Sequence, residues 1–468
     1  MDSGFFAFTH QTRITGRSKH DLTMLGFVIV YAASALGIIG AIVRPYIGML
    51  VFYAFVFLEP EWNWRWVIAR DAGFQRYLAG FTILGWLLHG GRFPRRKTNV
   101  TLAMMCLLLF LILAWISSFF TISVPFTEFY MGILWKIIAM SLLAIAILDS
   151  ERKIVVLAWV IVFCQGYNAY QINLQYFTDG FCRFATQSNW GYKGDNNLYS
   201  IFTLPAAGLA AGFAMFSKTW KEKAIAGFIL LLQAHQVMLL ESRGGMLGGI
   251  AMIAFLIYLV PKTSLNLTIV GVGLILGSVL VGPPVVKEFM SSFESSDSLD
   301  SSASSRFSTW KAGMDITLDY PLFGVGPYAG QVLVPQYYEK SDRKDAKGLH
   351  NLFFEISSGC GIPAVILYFS FFGIIAFSSW KLIRRSGTMN ENRRAVLTGA
   401  LVGNAGYLVS SMFSSGALLE SSYICASLSA AILLVEDESL SDSSLLEFET
   451  TDNTENEEWD ELPSKYFS

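Results

Sequence analysis

The sequence predicts an all-α protein that crosses a membrane many times, and three observations support this fold class. Hydrophobic residues make up 53% of the 468 residues, charged residues only 15%, and the mean hydropathy is +0.47. Runs of about 18 or more apolar residues, long enough to cross a bilayer as a helix, recur along most of the chain. Basic loops alternate with these runs. A soluble protein of this size would need far more polar surface.

We expect about twelve transmembrane helices. The first two apolar segments are separated by Arg44-Pro45, and we favour one broken crossing over 24–59 with a cytosolic segment 1–22. The alternative is thirteen crossings with an exterior N-terminus. The Trp-rich stretch EPEWNWRW (59–66) is typical of a membrane interface. The expected segments are 24–42, 45–59, 75–90, 100–120, 128–148, 153–172, 198–216, 223–240, 245–260, 267–284, 351–378, 394–412 and 417–435.

The basic loops predict the orientation. Lys and Arg favour the cytosolic side, which places GGRFPRRKT (90–98), SKTWKEK (217–223) and KLIRRSGTMNENRR (381–394) inside. Alternation then places 173–197, 241–245 and a long loop at 285–350 outside. The predicted organisation is therefore a transmembrane bundle (23–284), a large exterior loop with an amphipathic helix (285–350) and C-terminal transmembrane helices (351–435).

The tail, 436–468, differs from the rest of the chain. It contains twelve acidic residues and one lysine, a net −11, so the chain's total of −2 leaves +9 for the remainder. A segment so rich in Ser, Thr and acids is typical of disorder, and we expect it in the cytosol, with binding of a partner as the alternative. The cysteines predict neither a disulfide nor a metal site. They are Cys106, Cys164, Cys182, Cys360 and Cys425.

Three basic side chains fall on the predicted exterior side. Arg243 lies in LLESRGGML, Arg306 lies on a predicted amphipathic helix in SSRFSTWKAGMDITLDYPLFGVG, and His350 ends the long loop. Two guanidinium groups would suit a diphosphate, and a histidine is easily poised as a base near neutral pH. The alternatives are a snorkelling Arg243, a solvated Arg306 and a structural His350.

Other polar residues lie beside these groups. Asp195, Asn196 and Asn197 begin a predicted helix, where they either cap it or line a sugar site. Asn351 follows His350, and Glu355 lies one turn further into the next helix, where an ionisable group is costly. Nucleotide sugars are not supplied outside the cell, so a glycosyl donor at this face would have to be linked to a lipid.

At these residues the chain resembles the O-antigen ligase and polymerase superfamily, mainly over 185–375. The matching pieces follow the family's order: DNN at 195–197, SRGG at 242–245, SRFSTWKAGMDITLDYPLFGVG at 305–326 and HNLFFE at 350–355. Arg44-Pro45-Tyr46-Ile47-Gly48 and the Trp-rich stretch resemble the branch of exosortase-associated O-glycosylation ligases. Many relatives carry an acid two residues before the glycine matched by Gly361, where this chain has Gly359.

The resemblance implies a GT-C-like glycosyltransferase fold in the bacterial inner membrane. Such proteins move a glycan from undecaprenyl diphosphate to an acceptor at the periplasmic side, with no metal or cofactor. Arg243 and Arg306 would hold the donor diphosphate, and His350 would activate the acceptor hydroxyl with Glu355 orienting it. Asp195, Asn196, Asn197 and Asn351 would bind the sugar or the acceptor. The acceptor itself, whether lipid A core, protein or glycan, is left open.

Two other functions compete with a ligase. A polymerase of the same superfamily would join lipid-linked repeat units, and sequence separates it poorly from a ligase. A transporter or flippase of lipid-linked glycans predicts repeated halves and charges at the bilayer midplane. We detect no repeated halves, and we expect the two candidate charges, Lys136 and Glu420, nearer to the ends of their spans.

Overall fold

A computed structural model describes residues 16–69, 71–93, 97–182, 195–264, 266–268, 270–272, 275, 301–337, 346–385 and 389–435. Every regular element within these ranges is helical. The expected disordered tail, the first fifteen residues and all of 276–300 and 338–345 lie outside the described ranges.

The described helices follow the predicted apolar segments closely. Six of them are long and apolar enough to cross a membrane, and three shorter helices are also apolar, counted over the described residues alone. The predicted class, an all-α protein with several membrane-spanning helices, is confirmed. The helices are α1 (Gly16–Val43), α2 (Pro45–Leu58), α3 (Pro60–Asn63), α4 (Phe74–Leu88), α5 (Thr98–Ser118), α6 (Val124–Ile147), α7 (Glu151–Asp179), α8 (Asn196–Phe216), α9 (Trp220–Leu239), α10 (Arg243–Leu259), α11 (Ser301–Asp319), α12 (Gly330–Leu333), α13 (Leu352–Cys360), α14 (Ile362–Arg385), α15 (Glu391–Ser411) and α16 (Glu420–Leu434).

The expectation of one broken crossing over 24–59 is wrong. Helices α1 and α2 fold back on each other at Arg44, where Gly48 of α2 lies against Ala41 of α1. The other end of α1 returns to the segment after α2, since Gly26 lies against Trp64. Proline at the first position of α2 favours this sharp return, because its missing N–H is not needed there.

Helix α8 forms the centre of the bundle. In its most apolar window 94% of the residues are buried. Gly208 and Gly212 pack against backbone atoms of Gly399 and Gly403 or of their neighbours on α15, with no room for a Cβ atom. Small residues four apart on both helices let two backbones approach closely, which is how helices commonly associate in membranes. This contact fixes the position of the residues that begin α8, including Asp195.

The predicted span 351–378 is two helices rather than one. Gly361 separates α13 from α14 with a φ of +87°, a conformation that favours glycine. The preceding loop fills the break: Val325 N–H donates to the Ser358 carbonyl (2.9 Å) and Ile362 N–H to the Pro321 carbonyl (2.8 Å). The nine residues of α13 are too short to cross a bilayer, so α13 belongs to the loop region at one end of α14.

The same contact explains the glycine at 359. A Cβ atom there would lie 3.0 Å from the backbone nitrogen of Tyr328 and 3.1 Å from the carbonyl oxygen of Gly326. A side chain at position 359 would therefore require the loop to shift.

Candidate active site

The predicted site residues gather at one face of the bundle, which we call the site face. It comprises the start of α8, the α9–α10 turn, helix α11, the residues before α13, and the α15–α16 turn. These elements contact one another through hydrogen bonds and aromatic rings, so residues far apart in sequence form one neighbourhood.

Arg243 begins α10 immediately after a strained turn. Glu241 has a φ of +51°, which is uncommon for a residue with a side chain and occurs often at functional sites. Ser242 caps the helix, its hydroxyl accepting from the Gly245 N–H at 3.2 Å. The two glycines after Arg243 lie against Phe413 and Ser200, so they serve helix packing. The turn thereby projects Arg243 from a fixed backbone.

The DNN tripeptide ties the start of α8 to this turn. Asp195 caps α8, its carboxylate accepting from the Asn197 N–H at 2.6 Å. Asn196 Nδ2 donates to the Leu240 carbonyl (2.7 Å), and the Ser242 hydroxyl donates to Asn197 Oδ1 (2.9 Å). The capping interpretation of Asp195 is therefore confirmed, and both asparagines hold the turn that carries Arg243.

Helix α11 brings Arg306 to the same face. Its inner side packs on α13, with Gly313 against Phe354 and the Thr317 and Ser357 hydroxyls 2.7 Å apart. Phe307 and Met314 stay exposed on the opposite side, as expected of an amphipathic helix. The α11–α13 contact sets the position of Arg306 relative to His350.

His350 occupies a strained, partly buried position between α11 and α13. Its φ is +48°, again in the left-handed region. Its carbonyl accepts a 3.4 Å hydrogen bond from the indole N–H of Trp310, whose ring lies 5.8 Å from that of Phe413. The neighbouring Gly348 leaves space beside the imidazole, since a Cβ there would lie 3.2 Å from Nε2.

Electrostatic effects place four of the predicted residues in one neighbourhood. Burial, and then the adjacent Arg243, lower the pKa of Arg306, while Asp195 opposes them. Burial, and then Arg306, lower the pKa of His350, with Lys347 acting in the same direction and Asp195 against it. His350 is therefore a neutral imidazole at pH 7, beside two cations and one carboxylate.

Asn351 has a structural role in this structure. Its side-chain oxygen caps α13, accepting from the N–H groups of Phe353 (2.9 Å) and Phe354 (3.2 Å). Its Nδ2 donates to the Met412 carbonyl at 2.9 Å. The amide thus joins α13 to the α15–α16 turn, and its predicted part in sugar or acceptor binding stays a prediction.

Glu355 is buried but does not hold His350. Among the described residues, no hydrogen bond joins the two side chains, and Glu355 Oε2 has no partner. Burial raises the Glu355 pKa to about 8, opposed by Ser415 and Tyr130 beside it. A cavity of about 10 Å³ lies there, also lined by Tyr328. The expected orienting contact is absent in this arrangement because the carboxyl faces Tyr130 and Ser415.

Sequence reasoning missed three residues that build the site. Trp310 fixes the backbone of His350, and Ser242 caps the helix that begins with Arg243. Lys347 lowers the pKa of His350. Ser242 lay within the SRGG motif, so a capping signal was available for it. Nothing in the sequence pairs Trp310 or Lys347 with His350. Within the described ranges, no group of three or more His, Cys, Asp or Glu side chains is placed to hold a metal.

The fold and site define a helical membrane protein with two arginines and a histidine at one face. Residues 202–369 match the family model described as O-Antigen ligase, which confirms the resemblance to the O-antigen ligase-like superfamily. The matched region contains Arg243, Arg306, His350, Asn351 and Glu355, whereas the DNN tripeptide precedes it. No curated protein matches the chain. The match supports glycosyl transfer of the ligase or polymerase type.

Proposed function

We propose that the protein is an O-antigen ligase-type glycosyltransferase that moves a glycan from undecaprenyl diphosphate to an acceptor hydroxyl. The observation that carries this proposal is the mutual electrostatic influence of Arg243, Arg306, Asp195 and His350. Two cations beside a neutral imidazole suit a reaction in which a diphosphate leaves and a hydroxyl loses its proton. The match to the family supports the same reaction class.

In the proposed reaction Arg243 and Arg306 bind the donor diphosphate. Burial, and then Arg243, lower the pKa of Arg306, so the field between the two guanidinium groups is positive. A bound diphosphate relieves this repulsion and forms charge-assisted hydrogen bonds with both groups. As the bond between the anomeric carbon and the diphosphate oxygen breaks, the electron pair and charge remain on the oxygen that the arginines stabilise.

His350 is the proposed base. Its neutral imidazole accepts the proton of the acceptor hydroxyl while the hydroxyl oxygen forms a bond to the anomeric carbon. Binding of the anionic donor offsets the field of Arg306, so the imidazole becomes more basic when the substrate is present. Asp195, which favours the protonated imidazole, would stabilise the charge that develops on His350.

Glu355 and the three asparagines complete the proposed site. Glu355, a neutral acid at pH 7, would affect His350 through the position of α13 rather than by direct contact. Asn196, Asn197 and Asn351 hold the walls from which the arginines and histidine project. The distribution of basic loops supports a periplasmic site face in a bacterial inner membrane, since these loops lie at the other end of the helices.

The test is transfer in vitro by the purified protein in detergent or nanodiscs. The donor is an undecaprenyl-diphosphate-linked glycan, and the acceptors are lipid A core, a serine-rich peptide and a second lipid-linked repeat unit. A ligase releases undecaprenyl diphosphate and labels the lipid or the peptide. Labelling of the second repeat unit alone would identify a polymerase instead, and no release with any acceptor would contradict glycosyl transfer.

A further inference from the structure

A large cavity lies among helices that take no part in the proposed active site. It has a volume of about 860 Å³ and is formed by α2, α4, α6, the segment after α2 and the first residue of α16. None of the proposed site residues lines it. The proposed glycosyl transfer does not use it, yet six ionisable side chains face it: Glu59, Glu61, Arg65, Arg76, Lys136 and Glu420.

Two of these charges lie deep in the membrane-spanning region. Lys136 follows Val124 by twelve residues and precedes Ile147 by eleven, so it lies at the middle of α6. The expectation that Lys136 lies nearer to the end of its span is therefore wrong. The Ser427 hydroxyl donates to the Ser141 carbonyl at 3.0 Å. Because α6 and α16 both run from the site face, Glu420 lies about level with Leu134, seven residues before Ser141.

Ionisable groups at this depth are costly and are normally kept for a function. Here Lys136 is exposed to the cavity, and Glu420 lines the same space. Glu59 has a φ of +42°, which is another strained non-glycine position at the cavity wall. Strained backbone and ionisable groups at this depth indicate a function for the cavity rather than a packing defect.

The cavity wall has a charged part and an apolar part, as a site for an amphiphile would have. Its outer part carries Glu59, Glu61 and Arg65, and the Arg65 guanidinium stacks on the rings of Trp62 and Trp66 at 4.4 and 3.8 Å. Its remaining wall is largely aliphatic and aromatic, with side chains from α2, α4 and α6. These are Phe52, Val56, Ala79, Ile83, Ile133, Ile137 and Met140.

The opening of the cavity faces sideways. Arg76 and Gly80 of α4 and Trp135 and Lys136 of α6 are exposed and line it, so the entrance lies between α4 and α6. Because α6 is long and apolar enough to cross a membrane, a gap at its side faces the hydrocarbon of a bilayer. The ligand would therefore come from the lipid phase, which disfavours a free sugar or another water-soluble compound.

We propose that this cavity binds a zwitterionic phospholipid whose head group carries both a phosphate and a primary amine. Three cationic and three anionic side chains line it, so it offers partners for both charges, with no excess for a purely anionic head group. The arginines and Lys136 suit the phosphate, and the carboxylates suit an ammonium with N–H donors. The aliphatic wall suits the acyl chains. A polyprenyl diphosphate carries negative charge alone and offers no ammonium to the carboxylates.

Native mass spectrometry of the full-length protein in detergent tests the proposal. Phosphatidylethanolamine, phosphatidylcholine and phosphatidylglycerol are titrated separately, and the fraction of protein with one bound lipid is measured. Phosphatidylethanolamine should bind roughly tenfold more tightly than either of the others, the factor expected for one charge-assisted hydrogen bond. Equal binding of the three lipids by the native protein would overturn the proposal.

Two variants locate the binding. Lys136→Met should weaken the binding of all three lipids, because it removes a partner of the phosphate. Glu420→Gln should remove only the preference for the lipid with a primary amine. The matched controls, Lys221→Met and Glu391→Gln, change exposed charges at the opposite face and should leave the titrations unchanged. A preference that survives in both cavity variants would contradict the assignment. Displacement of bound phosphatidylethanolamine by undecaprenyl diphosphate would show that the cavity takes the donor lipid instead.

Discussion

The indole N–H of Trp310 donates a hydrogen bond to the backbone carbonyl of His350, 40 residues further along the chain. This contact joins the helix that carries Arg306 to the residue proposed as the base. The Trp310 ring also lies near Phe413, which follows the Met412 carbonyl that accepts from Asn351. Helix α11, the start of α13 and the α15–α16 turn are thus held together at the site, independently of any bound substrate.

The charges around His350 predict opposite pH effects for two variants. Lys347 lowers the His350 pKa and Asp195 raises it. Lys347→Gln should therefore move the acid limb of the kcat/KM profile to higher pH, and Asp195→Asn should move it to lower pH. Asparagine is an equally good helix cap, so α8 should be retained. Transfer rates measured from pH 5 to pH 8 check both shifts. Shifts of the same sign, or none, would remove His350 as the group that titrates.

The guanidinium groups should not be replaceable by ammonium groups. Arg243→Lys and Arg306→Lys keep the positive charge but lose the planar pair of donors that binds a diphosphate. We expect kcat to fall about a hundredfold in each variant, the loss typical of one transition-state donor. Lys221→Arg at the opposite face is the control for a change between the two cations. Normal release of undecaprenyl diphosphate by both lysine variants would exclude the diphosphate role.

Glu355 should make stability depend on pH. Its pKa in the folded protein is about 8, above the ordinary value of 4.5, so folding favours the protonated acid. The stabilisation is complete below about pH 4.5 and is lost as the pH rises through about 8, at roughly 1.4 kcal/mol per unit between these values. The Tm of the native protein should therefore fall relative to that of Glu355→Gln over this range.

The same variant separates two roles for this acid. Since the carboxyl is neutral at pH 7, Glu355→Gln should retain most of the transfer activity at that pH. A loss as large as that of a His350 variant, with unchanged Tm, would mean that Glu355 acts as a carboxylate and orients the base after all.

The break between α13 and α14 should tolerate only glycine. Gly361→Ala places a Cβ atom against the Leu322 carbonyl and forces a side chain into a positive φ. We expect a loss of about 1–3 kcal/mol in stability, measured by thermal unfolding in detergent. Gly373→Ala, in the same helix but with open space at its Cβ position, is the control and should be neutral or slightly stabilising. Equal Tm values for the two variants would contradict the described break.

Hydrophobic periodicity and loop charge were sufficient to predict most of the helices, because both signals are local. These signals failed at two segments. The apolar segment 24–59 gives no sign of the reversal at Arg44, and the segment 351–378 gives no sign of the break at Gly361. A run of apolar residues carries no information on where a chain folds back inside a membrane. The glycine at 361 owes its conformation to a loop some 40 residues earlier in the chain, which no local pattern contains.

The candidate site was predictable to a similar degree. The order of the motifs predicted that Arg243, Arg306 and His350 lie at one site. In the structure Arg243 affects the pKa of Arg306, and Arg306 affects the pKa of His350. The direction in which a side chain points was not predictable: Glu355 was expected to face His350 and instead lies beside Tyr130 and Ser415. The depth of Lys136 was likewise hidden, because its span begins four residues earlier than the apolar pattern indicated.

In the proposed reaction, His350 removes the proton of the acceptor while the two arginines hold the donor. This role of His350 is tested most directly by a single-turnover assay of His350→Ala with an undecaprenyl-diphosphate-linked glycan and the acceptor used by the native protein. We expect this variant to fold and to bind the donor with native affinity, but to transfer glycan at least a hundredfold more slowly. Transfer at the native rate by a folded His350→Ala protein would contradict this role.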